Sequence, residues 1–391
     1  MSNFFKVKEH GSTVRTEIMA GVTTFMAMAY ILMVNAGMFS SLGTVSYGAI
    51  YIATAISAVI GTVLIGLLSN LPLAQASGMG LNAFFVYTVC FTFGLSYANA
   101  LVLVLVDGIV FVLLTVTGLR KMIFDAIPAA VKTAISAGIG LFIAFIGLQN
   151  SGLCVDSATL VGIISFPENF HTAGICALLT LIGLFFTAVF YTRKMKGAIL
   201  YGILLTWILG MLCQVTGLYV PTPDAGFYSL FPSWGMTDFS KLGLTFGQCF
   251  NVDFSAVGIV NFIVVIFSFL FVDIFDTLGT LIGVATKAKM LDKDGKLPGI
   301  KPALLADSIA TSAGAILGTS TTTTFVESSA GVAVGGRTGL TAVVTAVLFL
   351  VSMLFAPIFI AIPSFATAPA LVIVGFLMFT TITEINFSEK D

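Results

Sequence analysis

The sequence predicts an all-α membrane protein that crosses the bilayer many times. Hydrophobic residues make up 58% of the 391 residues and charged residues only 9%, whereas a soluble domain carries about 25% charged residues. The mean hydropathy is +1.08, and apolar runs of about 20 residues, the length that crosses a bilayer, recur along the chain. These observations exclude a soluble protein, and the net charge of −1 argues against nucleic acid as a partner.

The ends of the apolar runs predict twelve spans, ten of which resemble ordinary helices. These ten lie at 18–38, 50–68, 97–119, 127–148, 173–191, 198–215, 257–285, 302–318, 340–362 and 369–383. The N-terminus is too polar for a signal peptide, and the first apolar run is long enough to stay in the membrane as a span. The bilayer is therefore the first predicted partner of the chain.

The other two spans, the third and the tenth, begin with residues that disfavour a helix. In residues 70–89, Pro72 precedes a run of Leu and Ala, and Gly78 then allows close backbone approach before a helix begins. Residues 319–339 open with consecutive threonines, which favour a strand, and a short helix begins near Ser328. Both segments are therefore expected to hold a short strand followed by a short helix.

The two irregular segments also resemble each other. Gly66 precedes Gln75 by nine residues and Gly318 precedes Glu327 by nine, and QASG from Gln75 matches ESSAG from Glu327 with one insertion. An offset of seven spans is odd, so the two halves of the chain would have opposite orientations. Interrupted helices in inverted halves indicate the substrate site of a transporter. Chance similarity between small residues is the alternative.

Basic residues in the loops predict the orientation in the membrane. With the N-terminus in the cytoplasm, the loops expected inside hold Arg120 and Lys121, 193–196, 287–301 and Arg337. The loops expected outside hold mostly acids, as the positive-inside rule requires. We therefore expect a multi-pass protein of the cell membrane, inner or plasma, with a cytoplasmic N-terminus.

Two aspartates in the eighth span are the strongest chemical signal. Asp273 and Asp276 lie three residues apart in an apolar run, which puts them on one face of a helix, one turn apart. A carboxylate at membrane depth costs about 2.5–3.5 kcal/mol on insertion scales. The pair either forms structural ion pairs or is a ligand or proton site. Basic residues in the apolar runs are almost absent, with Lys132 the main exception, which favours the second interpretation.

Glu327 lies where the threonine strand gives way to a helix. It either caps that helix or accepts N–H donors from a ligand. The short helices would offer free backbone N–H groups to ligand carbonyls. A ligand with donors and acceptors on one flat edge, such as a nucleobase, would fit. Asn82 either contacts this ligand or joins two helices by a hydrogen bond.

Other polar and aromatic residues give weaker signals. Asp107 and Asp307 lie in the fourth and ninth spans and are expected to pair or cap internally. Phe84, Phe85 or Phe25 could cover one face of a planar ligand. The five cysteines are scattered, odd in number and without metal-ligand spacing, so we expect no disulfide, no metal and no other cofactor.

Five stretches resemble the purine permeases of the nucleobase–cation symporter superfamily, which includes the xanthine and uracil permeases. They are FVDIFDTLGTLIG, TTTTFVESSAGVAVGGRTGL, ASGMGLNAFF, GVTTFMAMAYILMVN and AISAGIGLFIAFIGLQNSG. The branch is the azaguanine-type one, for hypoxanthine, guanine and adenine, and the resemblance covers essentially the whole chain. It implies two inverted seven-span halves with core and gate domains, in which the strands of spans three and ten meet at mid-membrane.

The resemblance also implies function and site residues. It implies purine import, with a proton as the coupling ion and a homodimer as the assembly. In the family, an acid of span eight and an acid of span ten hold the substrate, and these correspond to Asp273 and Glu327. The expected substrate-binding residues are Asp273, Glu327, Asn82, Ser328 and Gln75. The residues expected to couple protons or gate the site are Asp276 and Asp307.

Domain boundaries follow from the same resemblance. Residues 1–17 form the cytoplasmic N-terminus, 18–119 and 257–355 the core domain, and 120–256 and 356–391 the gate domain. The family has fourteen spans and this chain is expected to have twelve, so the last two gate helices are expected to be missing.

Two alternatives to a purine carrier were considered. A carrier of the same fold could take uracil, xanthine or an anion, although an anion carrier would place a base at the site rather than two acids. An intramembrane aspartyl protease would also use two acids. Such enzymes place them on separate helices with a GxGD-type turn, which the sequence lacks. We therefore expect a transporter and not an enzyme.

Overall fold

The computed structural model describes residues 4–126, 128–157, 160–167, 169–195, 197–222, 227–253, 258–287, 290 and 297–384. Contacts between residues divide the chain into two units, 1–135 with 237–354 and 136–236 with 355–391. Residues 120–135 and 237–253 were assigned to the gate domain in the sequence analysis. They lie in the first unit, with the residues assigned to the core.

The described residues are mostly helical. The helices are α1 Val14–Met28, α2 Tyr30–Ser40, α3 Tyr47–Ser69, α4 Met79–Ala83, α5 Tyr97–Thr117, α6 Leu119–Ala126, α7 Ala129–Asn150, α8 Ile175–Thr192, α9 Ala198–Val215, α10 Ile259–Lys287, α11 Ile300–Leu317, α12 Ser328–Val334, α13 Gly339–Ser352, α14 Ala356–Ile360 and α15 Ser364–Phe379. Helix α4 continues as a π-helical stretch, Phe84–Thr92. The strands are β1 Gln75–Ser77, β2 Cys154–Ser157, β3 Leu160–Ile163 and β4 Thr322–Thr324.

The length and composition of these helices confirm an all-α polytopic membrane protein. In the described part of the chain, eight helical segments of at least 18 residues are apolar enough to cross a membrane. Three shorter apolar helices, Met79–Thr92, Ala137–Asn150 and Ser364–Phe379, accompany them. The count of twelve spans stays a prediction, because the short helices do not reach the length of a full span.

The two expected strands form and pair with each other. β1 and β4 are antiparallel, with Gln75 opposite Thr324 and Ser77 opposite Thr322. The short helices α4 and α12 follow them, as predicted from the glycine and threonine patterns. The alignment of QASG with ESSAG is wrong, because Gln75 begins a strand whereas Glu327 precedes a helix. The structural counterpart of β1 is the threonine strand itself.

The outer edges of this two-stranded sheet are closed by threonine hydroxyls. A backbone group inside a membrane needs a partner within the protein. On the β1 side, Gln75 N donates to Thr62 Oγ1 of α3 at 3.0 Å, and the same hydroxyl donates to Gln75 O at 3.0 Å. On the β4 side, Thr322 N donates to Thr311 Oγ1 of α11 at 3.2 Å, and that hydroxyl donates to Thr322 O at 3.1 Å. This matching arrangement agrees with two related halves.

Small residues let the helices of the first unit approach closely around this sheet. A Cβ added to Gly339 at the start of α13 would lie 2.0 Å from the carbonyl oxygen of Gly66 in α3. A Cβ added to Gly61 would lie 3.0 Å from the Cβ of Ala310 in α11. Close backbone contact of this kind replaces the hydrophobic driving force that lipid does not provide.

Small residues also allow close helix contacts within the second unit. A Cβ on Gly183 of α8 would lie 2.1 Å from Thr206 Oγ1 of α9, and one on Gly202 of α9 would lie 2.0 Å from Thr187 Oγ1 of α8. The residues before α8 include a hairpin in which β2 and β3 pair antiparallel, with Cys154 opposite Ile163.

Replacing Gly339 with Ala is expected to reduce the yield of folded protein and its melting temperature in detergent. The new methyl would meet a backbone oxygen, which no side-chain rotation can move away, and overpacking typically costs about 1–3 kcal/mol. Gly279→Ala in α10 is the matched control, because nothing lies within 4 Å of its added Cβ. Equal yields and melting temperatures for the two variants would contradict this packing.

Candidate functional site

The paired strands β1 and β4 form the centre of the candidate site. Helix α10 contacts β4, α4 and α12, so one face of α10 borders the strands and the short helices that follow them. Of the acids expected at the site, Asp276 and Glu327 are partly exposed, whereas Asp273 and Asp307 are fully buried. Only the first two are therefore accessible to a ligand in this conformation.

Asp276 faces the paired strands. Its Oδ2 accepts a hydrogen bond of 3.0 Å from the hydroxyl of Thr323 in β4. A Cβ built on Gly78, just after β1, would lie 3.3 Å from the same Oδ2 and 2.9 Å from Thr323 Oγ1. A side chain at position 78 would therefore crowd both groups, and glycine keeps this carboxylate accessible beside the backbone.

Asp273 faces a different neighbour. Its Oδ1 accepts a hydrogen bond of 3.3 Å from Thr277 Oγ1, and that hydroxyl also donates to Asp307 Oδ1 at 2.8 Å. The Oδ2 of Asp273 is buried and has no hydrogen-bond partner. The structure therefore places Asp276, rather than Asp273, beside the strands.

Glu327 is held by a residue that the sequence analysis did not single out. The hydroxyl of Tyr30 donates to Glu327 Oε1 at 2.7 Å. Tyr30 is fully buried and begins α2 directly after the first predicted span breaks at Ala29. A tyrosine in an otherwise apolar run was the signal that could have found it, since buried tyrosine hydroxyls usually have a partner.

Glu327 does not cap α12 with its side chain, so that alternative is not observed. The free N–H groups expected at this helix are also not free. The N–H groups of Ser328, Ser329 and Ala330 donate to Phe325 O, Val326 O and Glu327 O at 2.9–3.1 Å. The prediction that they bind ligand carbonyls is therefore wrong for this conformation, because the tight turn after β4 uses them.

The three other predicted substrate contacts differ in how far their polar groups are engaged. Asn82 is fully buried, donates to Ser77 O at 3.3 Å and has no partner for its Oδ1. The hydroxyl of Ser328 accepts from Ala74 N at 3.0 Å. Gln75 donates to Thr324 Oγ1 at 3.2 Å, and its buried Oε1 has no partner. Ser328 and Gln75 thus hold β1 in place, and both Gln75 Oε1 and Asn82 Oδ1 are buried acceptors without a partner among the described residues.

The phenylalanines considered as covers for a planar ligand pack against other rings. Phe25 lies edge-on to Phe349 at a centroid distance of 5.2 Å, and Phe84 lies edge-on to Phe269 at 5.1 Å. Phe85 is fully buried against Phe39 at 4.9 Å. Phe25 and Phe84 are both only partly buried, and Phe84 lies two residues after Asn82.

Asp307 has a basic partner that the sequence analysis placed in a cytoplasmic loop. Arg120 Nη2 lies 2.8 Å from Asp307 Oδ2, and both side chains are fully buried. Arg120 also donates to Leu304 O and Ser308 Oγ, and its guanidinium lies 4.0 Å from the ring centroid of Phe111. The expectation that Asp307 pairs internally is therefore met in the structure, and the Arg120 side chain is buried although the sequence analysis placed it in a loop.

A separate cavity of about 500 Å³ lies among Ser46, Tyr97, Gln248 and their neighbours. It is lined by none of the predicted site residues and by no acid. No group of three or more His, Cys, Asp or Glu residues that could hold a metal ion occurs among the described residues. The candidate site is therefore the group of polar side chains at the strands, defined as Asp276, Glu327, Asn82, Tyr30 and Thr323.

Chemically, this site presents acceptors to a ligand. Two partly exposed carboxylates and one buried, unpartnered amide oxygen lie around the paired strands. Such a site suits a neutral or cationic ligand that carries several N–H donors. The two carboxylates lie within electrostatic reach of each other.

Comparison with known protein families matches residues 15–391 to the Permease family. The chain belongs to this family. It is therefore a transporter rather than an enzyme, and the fold, the paired short strands and the intramembrane acids agree with that membership. The resemblance to nucleobase permeases stated from the sequence motifs is thereby confirmed.

Several relatives are similar over nearly the whole chain. A putative permease of Methanocaldococcus jannaschii is 43% identical over 100% of this chain and 84% of its own length. The guanine/hypoxanthine permease PbuO of Bacillus subtilis is 42% identical over 99% of this chain and 86% of its own length. The adenine permease AdeQ of Escherichia coli is 37% identical over 100% and 82%.

Solved structures share the fold at low sequence identity. The transmembrane domain of the cyanobacterial bicarbonate transporter BicA has a TM-score of 0.66 at 14% identity, covering 96% of this chain and 91% of that one. The murine anion transporter Slc26a9 in its inward-facing state has a TM-score of 0.61 at 11% identity, covering 95% and 61%. These likenesses support the architecture and carry no information about substrate.

Replacing Thr277 with Val is expected to lower the melting temperature of the detergent-solubilised protein. The substitution keeps the shape of the side chain but removes the hydroxyl that serves Asp273 and Asp307, and an unsatisfied buried polar group costs about 1–3 kcal/mol. Thr277→Ser retains the hydroxyl and is the matched control. If the Val variant melts at or above the Ser variant, these hydrogen bonds do not stabilise the protein.

Proposed function

We propose that this chain imports purine nucleobases across the cell membrane, taking hypoxanthine, guanine or adenine at the paired strands. The observation that carries the proposal is the placement of two accessible carboxylates, Asp276 and Glu327, beside β4 and its following turn. The relatives named guanine/hypoxanthine permease and adenine permease support this substrate class.

The chemistry of the site suits a purine edge. Purines carry N–H groups on both the six- and the five-membered ring, and a carboxylate accepts such donors in bonds worth about 1.5–3 kcal/mol each. We assign these contacts to Glu327 and Asp276. Asn82, with an unpartnered Oδ1, adds a further acceptor, and its amide N–H can serve a ring nitrogen or carbonyl.

The other predicted residues have supporting roles in this proposal. Gln75 and Ser328 keep β1 in place through Thr324 and the backbone of Ala74. Asp273 lies behind the site, where it connects α10 to Asp307 through Thr277. We infer that α10 supplies a ligand contact, as the resemblance implies, but through Asp276 instead of Asp273, because Asp276 faces Thr323 of β4.

Transport is proposed to occur by proton symport with alternating access. Carboxyl groups held inside a membrane are the usual carriers of coupled protons, and α5, α10 and α11 supply four of them. The distribution of loop charges supports a cytoplasmic N-terminus in the cell membrane, and a homodimer stays a prediction. An anion as substrate is disfavoured, because the candidate site presents carboxylates and no basic side chain.

Replacing Glu327 with Gln is expected to reduce hypoxanthine and guanine uptake by about 10- to 100-fold, because one charge-assisted bond of about 1.5–3 kcal/mol is lost. The measurement is uptake of radiolabelled bases in cells that lack their own purine permeases. Glu9→Gln makes the same change at an exposed N-terminal acid and should transport normally. Wild-type affinity in Glu327→Gln would remove this residue from the site.

The variants Asp276→Asn and Asp273→Asn are expected to differ in their affinity for purines. The geometry predicts that Asp276→Asn weakens purine binding strongly, because it faces Thr323 and Gly78, while Asp273→Asn leaves binding largely intact. The measurement is the affinity of each purified variant for labelled hypoxanthine, with surface expression as a control. The reverse pattern would return the ligand contact to Asp273, as the resemblance implies.

A further inference from the structure

A second group of charges lies apart from the candidate site and has no assigned role in ligand binding. It consists of Asp107 on α5, Arg120 on α6, Asp273 on α10 and Asp307 on α11, and all four side chains are fully buried. We call it the buried charge cluster. Three acids and one base would give a net charge of −2 if all were ionised. Isolated buried charges cost several kcal/mol each, so one guanidinium cannot stabilise three carboxylates.

The three acids differ in how well they are stabilised as anions. Asp307 accepts from Arg120 at 2.8 Å and from Thr277 at 2.8 Å. Asp273 accepts a single bond of 3.3 Å. Among the residues that the structure describes, Asp107 has no hydrogen-bond partner for either carboxylate oxygen. Asp307 therefore holds the negative charge of the Arg120 pair, and Asp107 has the least support as an anion.

A fully buried carboxylate without donors is expected to carry a proton. The cost of removing an ionised carboxylate from water is far larger than that of the neutral acid, so such a group takes up a proton instead. In this conformation Asp107 is therefore a neutral carboxylic acid. The charged groups that interact with it are Arg120, Asp307 and Asp273. They come from α6, α11 and α10. The 3₁₀ turn at residues 248–250 and the π-helical stretch also contact α5, and neither carries a charged side chain.

A cation is placed close enough to stabilise Asp107 after its proton leaves. The guanidinium of Arg120 covers the ring of Phe111 at 4.0 Å. Phe111 lies four residues after Asp107 on the same helix, a rise of about 6 Å. The Nε of Arg120 has no partner. A change in the side-chain rotamer of Arg120 can therefore bring its donors to Asp107.

A small cavity borders the cluster at Arg120. It has a volume of about 70 Å³ and is lined by Thr115, Gly118, Leu304 and the exposed Lys301, among others. This is room for a water molecule or two, since each occupies about 30 Å³ in the liquid. Arg120 is the member of the cluster that lines it, and Lys301 lies at the end of α11 that the loop charges place in the cytoplasm.

We propose that Asp107 is the proton-binding site of the transport cycle and that Arg120 moves from Asp307 to Asp107 when the proton leaves. The carboxylic acid of Asp107 dissociates to a carboxylate and a proton, which passes to water in the cavity beside Arg120. The guanidinium then neutralises the new carboxylate. On protonation Arg120 returns to Asp307.

Helix α10 connects this exchange to the ligand. When Arg120 leaves Asp307, the hydrogen bond from Thr277 has to stabilise a carboxylate that has lost its counter-ion. Thr277 is one residue away from Asp276, which faces the paired strands. A change at the cluster therefore reaches the site through one helix. The inference rests on the proposed purine symport and adds the residue that carries the proton.

The test uses the full chain reconstituted in liposomes and compares two measurements. Exchange of labelled hypoxanthine at equal pH reports binding and alternating access, and accumulation driven by a pH gradient reports proton coupling. With a difference of one pH unit, one coupled proton supports about tenfold accumulation. We expect Asp107→Asn, which mimics the neutral acid, to exchange at about the wild-type rate but to lose this accumulation. Asp107→Glu should keep both.

Control measurements distinguish failure of the proposed function from failure of the inference. Asp156→Asn, at an exposed acid in β2, should behave as wild type. Absence of hypoxanthine exchange in the wild type would defeat the proposed purine transport. Wild-type exchange without gradient-driven accumulation would leave purine transport standing but overturn the proton symport and, with it, the inference. Wild-type accumulation by Asp107→Asn would overturn it as well.

An infrared measurement covers the case in which Asp107→Asn does not fold. A protonated Asp107 should give a carboxylic acid C=O band in the wild type, and Asp107→Glu should shift that band. The spectra are compared before and after the pH is raised, while hypoxanthine binds and is released. If the intensity of this band does not change, or if Asp107→Glu leaves its frequency unshifted, the inference is wrong.

Discussion

The pairing of two three-residue strands inside the membrane is the constraint on which the rest of the structure depends. Irregular backbone at membrane depth is stable only if every N–H and C=O finds a partner within the protein. Here the strands pair with each other, and Thr62 of α3 and Thr311 of α11 bond the backbone of Gln75 and of Thr322 on the outer edges. This fixes where α10 passes the strands and therefore which of its side chains can meet a ligand.

Sequence patterns predicted this arrangement as far as local chemistry determines it. The threonine run, Gly78 and the pair Asp273 and Asp276 located the strands and the helix that borders them. They could not determine how far α10 is rotated. Residues three apart on a helix differ by about 60° in direction, so only tertiary packing decides that Asp276 faces Thr323 and Asp273 faces Thr277.

The partner of Asp307 was unpredictable for a different reason. Arg120 follows a helix end and precedes Lys121, so the charge rule for loops places it outside the bilayer. Its long side chain is instead buried and packs on Phe111 of α5. The position of a backbone at a membrane boundary does not fix the position of a guanidinium several bonds away. The role of Tyr30 was also missed. Its position depends on the helix break at Ala29, and no residue pattern in the sequence indicates that break.

The strand pairing also has a consequence for how the protein is made. Gln75 and Thr324, which face each other, are 249 residues apart in the chain. At about 5–20 residues per second, the ribosome needs roughly 12–50 seconds between them. Throughout that interval one edge of β1 can bond to Thr62, whereas the edge that will pair with β4 has no partner strand. Biogenesis therefore passes through a half-built intermediate whose open edge has to be shielded until the second half is inserted.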